Sequence, residues 1–255
     1  MSDVPSATPR PRVLLLTATV VPEPNVSHRL AVRDPDERRR QYEEALRWYA
    51  ERAADDLDGI VLAENSGADL SGFRDVVPAT MPLELLSLPA APSTPGTRRG
   101  YLEMLLVSDA FASSRLLTQP GAVGVKVTGR YRVENLGAVL RSMEPDRDLG
   151  FNLRRYPKPW ADMWVFFADQ AGMAALRPHL PAVGVVEPNG SAELSMFRIV
   201  NALHDQGVAV QRRFRVEPRM SGTRGVDNVA YESPVQRVKW ATRYAARRLA
   251  PQLWI

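Results

Sequence analysis

The chain has no cysteine among its 255 residues. Disulfides, thiolate metal sites, iron–sulfur clusters and cysteine nucleophiles are therefore excluded. Histidine is nearly as scarce: His28, His179 and His204 stand far apart, too dispersed for an imidazole metal cage. No apolar run approaches the ~18 residues a membrane-spanning helix requires. The first apolar run, 13–21, carries two threonines and no small-residue cleavage site behind it. No secretory signal is expected, and the protein reads as cytoplasmic. Lysine is the last scarcity, with Lys126, Lys158 and Lys239 the three among 33 basic residues.

What is present is ordinary for a globular chain, 45% hydrophobic and 24% charged residues. That is enough for one large domain or two small ones with their own core. Charge, however, is unevenly spread. The chain sums to +4, yet residues 209–255 carry ten Arg or Lys against Glu217, Asp227 and Glu232. The last stretch is thus +7 and residues 1–208 are −3. A basic tail behind an acidic body points to an anionic partner, a membrane or a nucleic acid.

Periodicity sets the fold class. The run 13–21 (VLLLTATVV) is apolar and closed by Pro22, the pattern of a strand buried on both faces. Asp34-Pro35-Asp36-Glu37 then supplies an N-cap, a proline at the first helical position and a glutamate at the third. Tyr42, Ala45, Leu46, Tyr49, Ala50 and Ala53 follow at helical spacing, to about position 54. A second buried strand at 59–63 ends in polar residues, and strand–helix–strand opens a parallel α/β sheet. The remainder predicts a short strand at 83–88, a helix at 100–117, a strand at 123–127 and a helix at 135–143. Residues 148–159 read as irregular, 164–168 as an aromatic strand, and 172–180 and 192–204 as helices. An alternating strand at 208–217, a loop at 221–225 and a helix at 235–250 complete the chain.

In open α/β sheets ligands bind beyond the carboxyl ends of the strands. Lys126-Val127-Thr128-Gly129-Arg130-Tyr131 follows the third long strand with a point charge, a hydroxyl, a guanidinium fork and a glycine that permits close approach. That set suits a phosphate or diphosphate, although a strand-to-helix turn with two solvated charges accounts for it as well. Glu64-Asn65-Ser66-Gly67 can read the hydroxyls or base of a nucleotide or sugar, or form a plain turn. Asp162, ahead of the aromatic strand, can hold a metal or a sugar hydroxyl, or cap a loop amide. Glu193 opens a helix, where the dipole alone favours an acid. The Asp-x-Asp pairs Asp34/Asp36, Asp56/Asp58 and Asp146/Asp148 each miss the end of a strand, so none reads as a metal motif. His28, Arg29 and Arg33 read as solvated loop residues, His179 as structural and His204 as a surface group at a helix end.

Taken in order, several of these strings resemble bacterial glycosyltransferases of lipopolysaccharide and capsule biosynthesis, over roughly residues 13–230. They are Thr17-Ala18-Thr19-Val20, Asp34-Pro35 with Arg38 and Tyr42, Glu64-Asn65-Ser66-Gly67, Lys126 to Tyr131 with Asn135, Asp162 and Glu193. The Lys-x-Thr-Gly-Arg-Tyr string is the most specific part. The resemblance implies an α/β, GT-A-like open mixed sheet flanked by helices, spanning 12–233. A flexible 1–11 would precede it and a basic amphipathic helix, 234–255, would follow. It implies a nucleotide-sugar donor held by Thr19, Glu64, Asn65, Ser66, Lys126, Thr128, Gly129, Arg130 and Tyr131. The sugar would pass to a hydroxyl of a saccharide, lipid-linked or small-molecule acceptor, with Glu193 or Asp162 as catalytic base. Asp162 is the candidate for a Mg or Mn ion, since the chain departs from the family in lacking an Asp-x-Asp after a strand.

On a helical wheel, Val235, Val238, Ala241, Ala245 and Leu249 form one stripe of the last helix. Trp240 and Tyr244 lie among Arg237, Arg243, Arg247 and Arg248 on the remaining face. Aromatics among arginines suit the headgroup region of an anionic membrane surface. Docking of the stripe on the domain, with the basic face solvated, accounts for the pattern equally. A rival reading makes the tail, with Arg212, Arg213 and Arg215, a nucleic-acid surface; against it stand the acidic body and the lack of a recognisable module. A dinucleotide-type cofactor site is disfavoured because positions 17–25 contain no glycine.

Overall fold

The apolar run after Pro11 becomes the centre of the sheet. The computed structural model describes residues 10–23, 30–94, 96–185, 191–222, 230–250 and 252–255. Most of the N-terminal stretch expected to be flexible, together with His28 and Arg29, lies outside the described residues. The elements run in chain order β1 (Arg12–Ala18), α1 (Pro35–Arg52), β2 (Gly59–Glu64), β3 (Leu83–Ser87), α2 (Arg99–Ser113) and β4 (Val123–Thr128). Then follow β5 (Arg132–Val133), α3 (Leu136–Arg141), β6 (Leu149–Arg154), β7 (Trp160–Ala168), α4 (Gln170–Leu176) and α5 (Leu180–Gly184). The last are α6 (Ala192–Asp205), β8 (Val210–Gln211), β9 (Met220–Ser221) and α7 (Pro234–Leu249).

Four parallel strands, β3-β2-β1-β4, are extended by antiparallel β7, then β6 and β8, into a seven-stranded sheet. The open mixed α/β sheet expected from the sequence is present. Asp34 caps α1 as its position predicts, accepting from the Glu37 amide at 2.7 Å, with Pro35 in the first turn. Alternation along β1 sends Val13 and Leu15 to one core with Met104, Phe111, Phe151 and Phe166. Leu14 and Leu16 go to the other, with Leu46, Tyr49, Ile60, Val125 and Val127. Helices cover both faces, which is why the central strands read as continuous apolar runs.

Two stretches depart from expectation. Residues expected to be irregular form β6, in which Leu149, Phe151 and Leu153 alternate into the core. Charged neighbours on both sides dilute that period. The β6–β7 register shifts between Phe151 and Leu153, so Asn152 sits at a bulge and its side chain is freed for the polar cluster described below. The alternating stretch 208–217, expected as one strand, pairs only as β8. There Gln211 turns its amide onto Glu144 N (2.9 Å) and Ser142 O (3.1 Å), and the chain leaves the sheet.

α7 is a helix as expected, but neither orientation foreseen for it holds. Its arginine and aromatic face packs inward while Val235, Val238 and Leu249 point to solvent. The cause is Glu217, a nearly buried carboxylate that pairs with Arg247, while the Trp240 indole donates to its backbone carbonyl at 3.2 Å. Two charges, Arg243 and Arg247, and a ring drawn to one acid outweigh a stripe of small apolar residues.

Candidate functional site

Beyond the carboxyl ends of β1, β2 and β4 opens a cleft of about 1760 Å³, walled by the starts of α2 and α6, β7, the β5–β9 ribbon and α7. Its floor is a polar lock. Lys126, wholly buried on β4, donates to Thr128 Oγ1 (3.0 Å) and Met163 O (2.8 Å) and pairs with Glu103 Oε1 on α2 at 2.8 Å. The hydroxyls of Thr17 and Thr128 donate to that same oxygen at 2.7 and 2.9 Å. An ammonium has three donors and all are used inside the protein. The lysine expected at the diphosphate therefore holds strand to helix. Gly129 has a similar internal duty: its amide donates to Thr17 O at 3.0 Å, and a Cβ there would lie 2.5 Å from that oxygen. The close approach it permits is to β1 and not to a ligand.

Glu103 is the residue the sequence reading missed. All three of its bonds fall on Oε1, so Oε2 has no partner among the described residues, and the side chain lines the cleft. Burial pushes its carboxyl up, but the Lys126 charge and the bonds from Lys126, Thr17 and Thr128 outweigh that and hold it below the ordinary 4.5. The available signal was an acid set among Leu102, Met104 and Leu105 of α2, in a chain with one strand lysine to answer it.

The tetrad after β2 is a loop staple. Glu64 is fully buried, and its carboxylate accepts from the amides of Val20 (3.0 Å), Ser66 (2.9 Å) and Ala68 (3.3 Å) and from the Ser66 hydroxyl. With its lone pairs filled, Glu64 cannot bind a donor; it ties the β1–α1 loop to the β2 turn. Asn65 accepts from the Thr19 hydroxyl at 2.6 Å and Ser66 from the Val21 amide at 2.9 Å. Thr19, Asn65 and Ser66 nonetheless line the cleft.

Cations gather beside this lip. Arg38 is buried and donates to Thr19 O (2.7 Å), Val32 O (3.3 Å) and the Tyr42 hydroxyl (3.1 Å), and to no carboxylate among the described residues. Burial, reinforced by the nearby charges of Arg130 and Arg99, draws it below its usual range against the influence of Tyr42. Arg130 donates to the Gln41 carbonyl at 2.8 Å, and Arg99 has no hydrogen-bond or ion-pair partner among the described residues. All three line the cleft. Arg38 lies close enough to feel the charges of both Arg99 and Arg130, and none of the three pairs with a carboxylate among the described residues, which makes an anion-seeking corner. Tyr131 lies against Tyr231 edge to face at 5.2 Å on the ribbon side.

Across the cleft lies a second cluster. Asp162 is fully buried; Arg154 takes one oxygen and Asn152 donates to the other at 2.8 Å. Asn152 also accepts from Arg247 at 3.0 Å, and Arg247 pairs with Glu217. Burial raises the Glu217 carboxyl, the neighbouring Arg247 pulling the other way. Asp162 lines the cleft, yet both its oxygens are engaged, one by the Arg154 guanidinium and the other by the Asn152 amide, which counts against the roles of acceptor base and metal ligand expected for it. Among the described residues no group of three or more His, Asp or Glu is placed to share a Mg or Mn ion, and Asp162, the residue expected to hold one, already pairs with Arg154. Glu193, in the first turn of α6, lines the same cleft and has no partner among the described residues.

No protein-family model matches the sequence, and a search of curated proteins yields no match. Solved structures are similar at low identity. One is 4-diphosphocytidyl-2C-methyl-D-erythritol synthase of Anaerococcus prevotii, at 10% identity and a TM-score of 0.43, covering 92% of this chain and 98% of its own. A second is a putative nucleotide-diphospho-sugar transferase of Desulfovibrio desulfuricans, at 10% identity and a TM-score of 0.44, covering 93% and 96%. A third is the inositol-1-phosphate CTP transferase of T. maritima, at 12% identity and a TM-score of 0.44, covering 95% and 98%. At that distance, function has to be argued from this chain's own side chains.

Proposed function

We propose that the cleft takes a nucleotide-sugar donor and that the chain transfers its sugar to an acceptor hydroxyl. The observation that carries this reading is the corner formed by Arg38, Arg99 and Arg130, without a paired carboxylate among the described residues, at the carboxyl ends of β1 and β4. Breaking a glycosyl–phosphate bond builds negative charge on the departing diphosphate and positive charge at the sugar carbon. Guanidinium forks already in place offset the first without reorganising. The free oxygen of Glu103 accepts from a donor hydroxyl, its charge fixed by Lys126. Glu193, open to the cleft, takes the proton of the attacking hydroxyl. The nucleic-acid reading is weakened, because Arg243 and Arg247 turn toward Glu217 and Arg212 lies over Trp254.

The test is a melting-temperature screen with UDP-, GDP-, CMP- and dTDP-sugars, followed by product analysis with the sugar that binds. Release of a nucleoside mono- or diphosphate with an acceptor present supports glycosyl transfer. Release of pyrophosphate from a nucleoside triphosphate and a sugar phosphate would make the chain a nucleotidyltransferase instead. A shift with no sugar nucleotide would overturn the reading.

A further inference from the structure

The outer face of α7 is inverted relative to an ordinary surface helix. Apolar residues of a docked helix normally face the domain, yet here Val235 is 62% exposed, Val238 65% and Leu249 85%. Ala241 and Ala245 complete the stripe and are exposed as well. Seven large hydrophobic residues are exposed among the described residues, and four of them, Val235, Val238, Leu249 and Leu253, lie on α7 and the tail behind it. Such a concentration marks an interaction surface more than scattered exposure does.

Charge says what covers it. At 100° per residue, Arg237 and Arg248 border the stripe on one side and Lys239 on the other, all three exposed. No acid follows Glu232 in the chain. A second copy pairing through the same stripe would set these cations against one another. A surface of anionic lipid headgroups over an apolar interior meets both the stripe and its borders. We propose that α7 docks the protein on an anionic bilayer, with Val238 and Leu249 entering the headgroup boundary and Arg237, Lys239 and Arg248 meeting lipid phosphates. Trp240 and Tyr244 stack on each other at 5.1 Å on the inner side and take no part. Attachment is consequently shallow and depends on charge. Trp240 and Arg243 line the cleft from the inner side, and Arg237, Lys239 and Ala241 line its edge, so lipid contact adjoins the mouth of the site. The proposal does not depend on which reaction the cleft performs.

The test is co-sedimentation of the full chain with vesicles of phosphatidylcholine alone and of phosphatidylcholine mixed with phosphatidylglycerol. Binding is expected to the mixed vesicles only and to fall with added salt. Val238→Glu combined with Leu249→Glu abolishes it, and Arg237→Gln combined with Arg248→Gln weakens it by on the order of tenfold or more. The melting temperature of each variant is the control, and these solvent-facing changes leave it nearly unchanged. Equal binding of wild type and the glutamate variant overturns the proposal, as does no binding to mixed vesicles. A concentration-dependent dimer without lipid, lost in the glutamate variant, would assign the stripe to a second copy and overturn it too.

Discussion

Lys126 Nζ and Glu103 Oε1 meet at 2.8 Å beneath the cleft, joining β4 to α2 through an ion pair whose lysine is fully buried. The same carboxylate presents its other oxygen to the cleft. One pair thus serves the fold with one atom and the site with another.

Replacing Lys126 by Met removes the charge but keeps the length of the side chain. It leaves Glu103 half-buried and uncompensated and deprives Thr128 Oγ1 and Met163 O of a donor. Breaking a buried pair from one side costs on the order of 3 kcal/mol. The expected result is a melting temperature lower by about 10 °C, with any loss of donor binding following from unfolding. An unchanged melting curve with abolished binding would return Lys126 to the ligand.

The pH dependence follows from Glu103. Its folded carboxyl titrates below the 4.5 of the free group. Between those values the unfolded chain binds more protons, so stability rises with pH through this window. The contribution is complete above 4.5 and is lost as pH falls through the folded value. Urea unfolding across the acid range should show this slope flattened in Glu103→Gln. A slope identical to wild type would show that the pair does not hold in solution.

Glu64→Ala orphans the amides of Val20, Ser66 and Ala68 together. Each unsatisfied buried donor costs ~1–3 kcal/mol, less where water enters. The loops after β1 and β2 should become sites of early proteolytic cleavage, and the chain should lose at least ~2 kcal/mol. Resistance equal to wild type would refute the staple.

Much of this frame was legible in the sequence, and the reason is physical. Asp34, Pro35 and Glu37 carry their helix start within four residues, and the runs at β1 and β2 are apolar because both faces are covered. The polar groups were legible only by position. Lys126 and Glu64 read as ligand groups because they end strands, yet their partners Glu103 and the Val20 amide are 23 and 44 residues away. Asp162 read as free because Arg154 and Asn152 lay in a stretch without visible strand period. The inward face of α7 depended on Glu217, a single acid among basic residues that nothing local marks as buried.

Arg99 and Arg130 separate binding from folding. Arg99 has no hydrogen-bond partner to lose among the described residues, and Arg130 gives up one bond to Gln41. Arg99→Ala and Arg130→Ala should keep melting within about 1 kcal/mol of wild type. Each should weaken the nucleotide sugar by on the order of tenfold, the value of one charge-assisted bond. Titration calorimetry checks both. Wild-type affinity in either variant would place the diphosphate elsewhere in the cleft.

Glu193→Gln isolates the proton transfer. The residue stands in the first turn of α6, where Ser191 already caps the helix by accepting from the Leu194 amide at 3.1 Å. Losing the charge therefore costs only a helix-dipole interaction of ~0.3–1 kcal/mol. Donor affinity should change less than turnover, because the role proposed for Glu193 is to take the acceptor's proton. Turnover should fall by ~10²–10⁴, the usual contribution of a positioned base, with KM for the donor less affected. A variant that turns over as fast as wild type leaves Glu193 a surface acid, and the base must then be sought among the remaining cleft carboxylates, Glu103 first.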